Sequence, residues 1–313
     1  MPLNLHHLRL FTAVVQHGGF TKAAGRLNLS QPAISKSLTE LERQLGLELI
    51  DRTARTVRLT DAGETLYARS SELFGVERAA EQELRELRGL KRGTLRIAAS
   101  TTIATYMLQP YLGRFHTRHP RVRIRANSAN TRSVLKMLLE FRVDVALVEG
   151  PVSDPRVTVI PWKDDELIVI ASPTHHLLDR PSVSVSMISD EPFLVREPGS
   201  GTRAVTEHAL AAHGVRLTNT MRVGGTEAIK QAVAAGLGLA IVSRAAAADQ
   251  LALGRIAILP VEGLTIRRTL AQIKLQGRAS TASARELEAL LAQPVDESAA
   301  DASGDTGHPQ LDT

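Results

Sequence analysis

Residues 20–46 read FTKAAGRLNLSQPAISKSLTELERQLG. Two helices joined by a tight turn follow from that run. Phe20, Ala23, Ala24 and Leu27 recur at helical spacing and give the first helix one apolar face. Thr21 is placed to cap it, because its hydroxyl can take a free backbone N–H. Asn28-Leu29 is the turn, and Asn tolerates the left-handed backbone that a short connection needs. Ser30 caps the second helix, and Pro32 sits in its first turn, where a missing N–H costs nothing. Ile34, Leu38, Leu41 and Leu45 form its inner stripe, and Gly46 ends it.

The other face of the second helix carries chemistry. Gln31, Ser35, Lys36 and Thr39 are polar and cluster towards the N-terminal half. Gln can read adenine bidentately, Ser bonds base edges or phosphate, and Lys pairs with phosphate or guanine. The helix N-terminus adds free N–H groups and a dipole that favour an anion. A recognition helix enters the major groove with this end first. An ordinary helical hairpin with a solvated face would share the same inner stripe.

Working outward, residues 5–16 form an opening helix. Leu5, Leu8, Phe11, Val14 and Val15 make its wide apolar stripe, and Gly18-Gly19 breaks it. Beyond Gly46, residues 47–50 and 56–59 read as two short strands around Arg52-Thr53-Ala54-Arg55, a wing tipped with arginine. Arg52 and Arg55 suit the minor groove or phosphates. Residues 1–60 hold eight Lys and Arg against four acids, the electrostatic footprint expected on a phosphate backbone. The whole chain of 313 residues carries a formal charge of +5. It has no cysteine, which excludes disulfides, thiolate metal sites and Cys nucleophiles and fits a reducing cytosol. The start MPLNLHHLRLF lacks a basic region followed by an apolar one, and no apolar run reaches membrane-spanning length, so a cytoplasmic protein is expected.

The run FTKAAGRLNLSQPAISKSLTELERQLGLELIDRTARTVRLTDAG resembles the N-terminal signature of the LysR-type transcriptional regulators, without a gap. Ile50 departs mildly, since the family often has an aromatic there. The resemblance implies a winged helix-turn-helix whose DNA contacts fall on Thr21, Ser30, Gln31, Pro32, Ser35, Lys36, Arg52 and Arg55.

Thr60-Asp61 opens a long helix to about residue 90. Thr60 is a good N-cap, with Asp61 and Glu64 in the first turn. Leu66, Leu73, Ala80 and Leu87 recur every seven residues, with Val76 and Leu84 filling the other apolar positions. That coiled-coil pattern needs a partner helix. In the family this linker pairs two subunits, and the assembly is usually a tetramer. The hinge is GLKRG, residues 89–93. Strands and helices then alternate, as in a parallel sheet covered by helices. Strands are expected over residues 94–99, 122–126, 143–148, 167–171, 193–195, 221–223 and 239–242. Helices are expected over 110–116, 131–139, 200–213 and 226–235. Residues 269–275 form a strand that recrosses the hinge, and 284–291 a returning helix. The fold class is α/β, with a winged helix-turn-helix at residues 1–60 and a linker helix at 61–91. A two-lobe domain like a periplasmic binding protein occupies 92–295, with lobe I at 92–162 and 268–295 and lobe II at 163–267. An acidic, disordered tail covers 296–313.

Ligands in open α/β sheets bind at the carboxyl ends of strands. Three stretches fall there: Ser100-Thr101-Thr102, Glu149-Gly150-Pro151, and residues 195–203, VREPGSGTR. Their hydroxyls, glycine N–H groups and arginines suit a small anion. The candidate residues are Ser100, Thr101, Thr102, Glu149, Gly150, Arg196, Ser200, Thr202 and Arg203. VREPGSGTR, DVALVEGP, DDELIVIASP and GGTEAIKQAVAAGLGLAIVSR are similar to the effector domains of one LysR-type branch, which holds the carbon-fixation operon regulators and the cysteine-biosynthesis regulators. That resemblance implies an effector between the lobes, contacted at Ser100, Thr102, Gly150 and Thr202 with Arg196 and Ser200 nearby. Branch members use chemically different effectors, so its identity does not transfer. Glu149 opposes an anion unless an arginine or a ligand hydroxyl meets it.

No catalytic reading emerges. No G-x-S-x-G elbow, phosphate loop or cofactor motif is present, and the pairs His6-His7 and His175-His176 lack metal-ligand spacing. A solute-binding protein would match the C-terminal part but not the DNA-binding head. The expected partners are promoter DNA, RNA polymerase, further copies of the chain and a small anionic metabolite. The alternative is a DNA-binding protein whose ligand domain no longer responds.

Overall fold

The computed structural model describes residues 3–51, 57–86 and 93–293. The chain divides into two compact units. The first begins with α1 (Leu5–His17), α2 (Phe20–Leu27) and α3 (Gln31–Leu45). A two-residue antiparallel pair follows, β1 (Ile50–Asp51) and β2 (Arg58–Leu59), and then α4 (Asp61–Glu86). Phe11, Val14, Ala23, Ile34, Leu38, Leu41 and Leu49 form its core, joined by Tyr67 and Phe74 from α4. Most caps fall where the sequence puts them. Asn28 ends α2 at φ 55°, and Ser30 Oγ accepts the Ala33 N–H at 3.3 Å. Gly46 ends α3 in the left-handed region at φ 67°. Thr60 Oγ1 accepts the Gly63 N–H at 3.0 Å.

Thr21 does not cap α2. The helix begins one residue earlier, at Phe20, and its N-cap is Gly19 with no side-chain bond. Gly18 already turns the chain at φ 68°, so Thr21 is carried inside the helix, exposed. The wing strands are also shorter than the run of β-formers suggests. Glu42, buried on α3, explains where the first one starts, since its Oε1 accepts the Leu49 N–H at 2.9 Å. Arg52 and Arg55, the hinge residues 89–92, Leu87 and the acidic tail lie outside the described residues. Along α4 the heptad positions split. Leu66 packs against the unit's own core, whereas Leu73, Val76 and Leu84 are 44%, 61% and 65% exposed.

The second unit is built on one nine-stranded sheet. In chain order it holds β3 (Gly93–Ser100), a π-helical turn (Ile103–Met107), α5 (Gln109–Arg118), β4 (Val122–Ala129), the start of α6 (Thr131–Leu139), whose residues from Lys136 on are grouped with the first unit, and β5 (Val145–Glu149). There follow β6 (Val157–Ala171), a 3-10 turn (His176–Asp179), α7 (Val185–Ser189), β7 (Phe193–Val195), α8 (Gly201–Ala212) and β8 (Thr220–Arg222). Last come α9 (Thr226–Ala234), β9 (Leu239–Ser243), α10 (Arg244–Ala252), β10 (Ala257–Ile258), β11 (Ile266–Leu275) and α11 (Ala282–Leu291). The strand order is β4-β3-β5-β11-β6-β9-β7-β8, with β10 on β6.

Two parallel trios, one per lobe, are joined by the long antiparallel pair β6 and β11. The register shifts at Leu270/Ala271, which face Lys163 and Pro161 on β6. Pro161 has no N–H to give a ladder, so an irregularity is the place to tolerate it. β11 pairs with both β5 and β6, and α11 packs on the side of β3 and β5. Ala284, Leu287 and Leu290 close the core of Leu95, Ile97, Phe115 and Leu147. Trp162, the one tryptophan of the chain, stands 5.6 Å edge-on to Tyr111 and donates to the Leu291 carbonyl at 3.0 Å. Its fluorescence therefore reports this core. Phe115→Ala is expected to cost about 3–5 kcal/mol, read as a lowered urea midpoint of Trp162 emission; an unshifted midpoint would contradict this packing.

Candidate functional site

Two places gather the predicted side chains. The first is the outer face of α3. Gln31, Pro32, Ser35, Lys36 and Thr39 line one open depression. Gln31 and Lys36 are exposed, and Lys36 has no ion pair among the described residues. Ile34, Leu38 and Leu41 anchor the opposite face in the core. A rigid helix thus presents three or four polar side chains beside a capped N-terminus, the form needed to enter a major groove. Ser30 is committed to its cap, so it supports this face rather than adding a free hydroxyl.

The second place lies in the effector unit, where β3, β5 and the start of α8 converge. Ser100 and Thr102 are 0% and 1% exposed. Ser100 Oγ has no hydrogen-bond partner among the described residues. Glycine makes the close approach possible. A Cβ on Gly201 would lie 1.6 Å from the Glu149 carbonyl oxygen, and one on Gly150 would lie 2.8 Å from Gly201 Cα. The N-terminus of α8 therefore abuts the end of β5, and Ser200 caps it on the Arg203 N–H at 3.4 Å.

Glu149 is met by an arginine that sequence reasoning missed. Arg268 of β11 is buried between two carboxylates. Its Nη2 lies 3.0 Å from Glu149 Oε2 and 2.7 Å from Asp165 Oδ2, and its Nε donates to Asp165 Oδ2 at 2.8 Å. Its Nη1 donates to Thr202 Oγ1 at 2.9 Å, and Thr202 in turn donates to Glu149 Oε1 at 3.1 Å. Ser243 Oγ completes Asp165 at 2.7 Å. The approach to Glu149 is an ion pair that lacks hydrogen-bond alignment. The cluster ties both crossing strands to both lobes. Its signal in the sequence was Arg268 in the buried phase of a strand, between Ile266 and Leu270.

Arg196 is also engaged. It donates to Thr226 Oγ1 at 3.1 Å, to Thr101 Oγ1 across the lobes at 3.3 Å, and to both oxygens of Glu197. Burial acts to raise the Glu197 pKa, but the bonds from Arg196 and Asn130 prevail and hold it below the usual carboxylate value. Arg203 pairs with Glu207 at 2.7 Å, donates to the Arg196 carbonyl at 3.1 Å, and lines a cavity of about 430 Å³ with Arg132, Thr131, Ser200 and Gly199. On another margin Tyr106 of the π-helical turn donates to Glu227, and buried Lys230 pairs with Glu227 at 2.7 Å. Burial, then Glu227, pushes the Tyr106 pKa up, so it stays a donor. The predicted residues are thus assembled, with Arg203 set apart from the buried cluster. Arg268→Met is expected to cost about 3–5 kcal/mol in chemical denaturation, because Glu149 and Asp165 lose their countercharge; a loss below about 1 kcal/mol would contradict the pairing.

Comparison with known proteins agrees. Residues 5–64 match the bacterial regulatory helix-turn-helix protein, lysR family, and residues 88–295 match the LysR substrate binding domain. The RuBisCO operon transcriptional regulator of Allochromatium vinosum is 36% identical over 268 residues, covering 86% of this chain and 88% of that protein. The uncharacterized HTH-type transcriptional regulator YeiE of Escherichia coli K12 is 36% identical over 273 residues, covering 87% and 92%. The regulatory domain of Synechocystis PCC6803 CcmR, solved in complex with 2-PG, is 26% identical with a TM-score of 0.59, covering 64% of this chain and 96% of that one. Its relatives are transcriptional regulators, and no described helix is long and apolar enough to cross a membrane. The chain belongs to the LysR family, as a DNA-binding transcriptional regulator with a winged helix-turn-helix and an effector-binding domain of two lobes.

Proposed function

We propose that Gln31, Ser35 and Lys36 read a partly palindromic promoter site, seated by Thr21, Ser30, Pro32 and the wing residues Arg52 and Arg55. A small anionic metabolite between the lobes then alters that grip. The single observation that carries the effector reading is Ser100, a fully buried hydroxyl without a hydrogen-bond partner among the described residues, where β3, β5 and the start of α8 converge. Buried polar groups are normally satisfied, so a hydroxyl left open there suits a ligand. Thr102, Thr202, Gly150, Ser200 and the α8 N-terminus supply further donors for an anion. Thr101 and Arg196 form the facing wall, with Arg203 at the rim. Glu149 sets a condition. An anion that reaches Arg268 must release Glu149 or bring it a hydroxyl. The CcmR domain carrying 2-PG supports a small-molecule occupant.

Pairing of chains is part of the same reading. Leu73, Val76, Ala80 and Leu84 follow one another at steps of three, four and four, so they share one face of α4. That exposed apolar stripe supports a two-helix seam between copies, and paired recognition helices read half-sites about one helical turn apart. Effector binding would then change the placement of copies on cytoplasmic promoter DNA and the access of RNA polymerase. It acts only through different affinity for the two states. Gln31→Ala is expected to weaken specific binding by about 1–3 kcal/mol in a gel shift on the cognate site. Unchanged specific binding would remove Gln31 from the interface.

A further inference from the structure

We propose that His175, His176 and Glu191 bind one divalent transition-metal ion of the zinc class. The site lies on the second lobe, at the opposite end of its parallel strands from the cleft. Glu191 precedes β7, whose far end leads into Arg196, and the histidines follow the end of β6. The place is therefore separate from the effector residues.

Adjacent residues on a helix point apart, but these two are not both helical. His175 is extended, at φ −73° and ψ 129°, and His176 begins the 3-10 turn. That change of backbone lays the two rings nearly parallel, 25° apart with centroids at 4.6 Å. Glu191 then supplies a carboxylate to both. His176 Nε2 lies 3.1 Å from Oε1, and His175 Nε2 lies 3.7 Å from Oε2. Tetrahedral zinc with bonds of about 2.0–2.1 Å has ligand atoms about 3.3–3.4 Å apart, and each imidazole lies near that distance from one oxygen of Glu191, so the carboxylate turns to share one oxygen between them on binding. One donor from each of the three residues falls within 4.8 Å of the others, and His176 is exposed enough to adjust its ring on binding.

Two imidazoles and one carboxylate are borderline-soft nitrogen with oxygen, the donor set that suits zinc. Three protein ligands leave a fourth position for water. The site is also partly preorganised, because the His175 and Glu191 side chains are 11% and 19% exposed. Binding carries one local trade. His175 Nδ1 accepts the Leu177 N–H at 3.3 Å. A neutral ring that binds metal through Nε2 carries its proton on Nδ1, so this long bond is given up for coordination.

The test uses the full chain after treatment with a chelator. Cobalt(II) is added and followed by its visible absorption, and zinc(II) is titrated by calorimetry. One ion per chain with micromolar affinity is expected. His176→Ala and Glu191→Gln should each weaken binding by about tenfold or more, while the double variant His6→Ala, His7→Ala leaves it unchanged. His176 is exposed, so its replacement leaves the fold intact. Absence of a cobalt band, or a zinc affinity that survives His176→Ala, would overturn the proposal.

Discussion

A guanidinium in a dry interior must be neutralised, and Arg268 meets that demand with parts from three elements. Asp165 comes from β6, Glu149 from the end of β5, and Thr202 from the first turn of α8. Desolvating such a group costs several kcal/mol, and only close, well-placed partners repay it. The surrounding geometry follows from this. Thr202 reaches Arg268 only if α8 comes up against β5, and that approach requires glycine at 150 and 201. The lobes are thus held at a set distance by charge, while the antiparallel pair β6 and β11 supplies the continuous backbone between them.

The same demand makes the cleft responsive. Glu149 and Asp165 share one guanidinium, and Ser100, at the end of β3, has no hydrogen-bond partner among the described residues. A ligand that brings or removes one charge there changes the balance of contacts across the lobes. Arg196 bridging to Thr101 and Tyr106 bridging to Glu227 place further contacts on the margins. Each would be kept or lost as the lobes move, which gives the two states different affinities for a ligand. On the DNA side, α3 is fixed by its buried stripe and by Glu42, so its polar face moves as a rigid unit.

Where a pattern is local, the sequence displayed it. Periodicity set out α1 to α3, and Ser30, Asn28, Gly46 and Thr60 mark helix ends through side-chain bonds or left-handed backbone. The α/β alternation exposed the strand ends at Ser100, Glu149 and residues 195–203. What stayed hidden was non-local or lacked contrast. Arg268 and Asp165 are 103 residues apart, and no periodicity signals that they meet. The middle of β6 carries Lys163, Asp164, Asp165 and Glu166, charged residues that the strand expected over 167–171 leaves out although they belong to it. The alanine run of α10 has no apolar stripe to contrast with a polar face. Thr21 failed as a cap for a local reason, since two preceding glycines let the helix begin at Phe20.

The central claim is that a small anion occupies the cleft at Ser100 and Thr202. A thermal-shift screen of the full chain against small anions and phosphorylated metabolites tests it most directly. A true effector at one hundred times its dissociation constant adds about 2.7 kcal/mol of stability. The account predicts at least one such stabiliser whose effect is largely lost in Thr202→Val. No stabiliser across the set, or one that stabilises Thr202→Val equally, would contradict it and leave a DNA-binding protein whose second domain no longer responds.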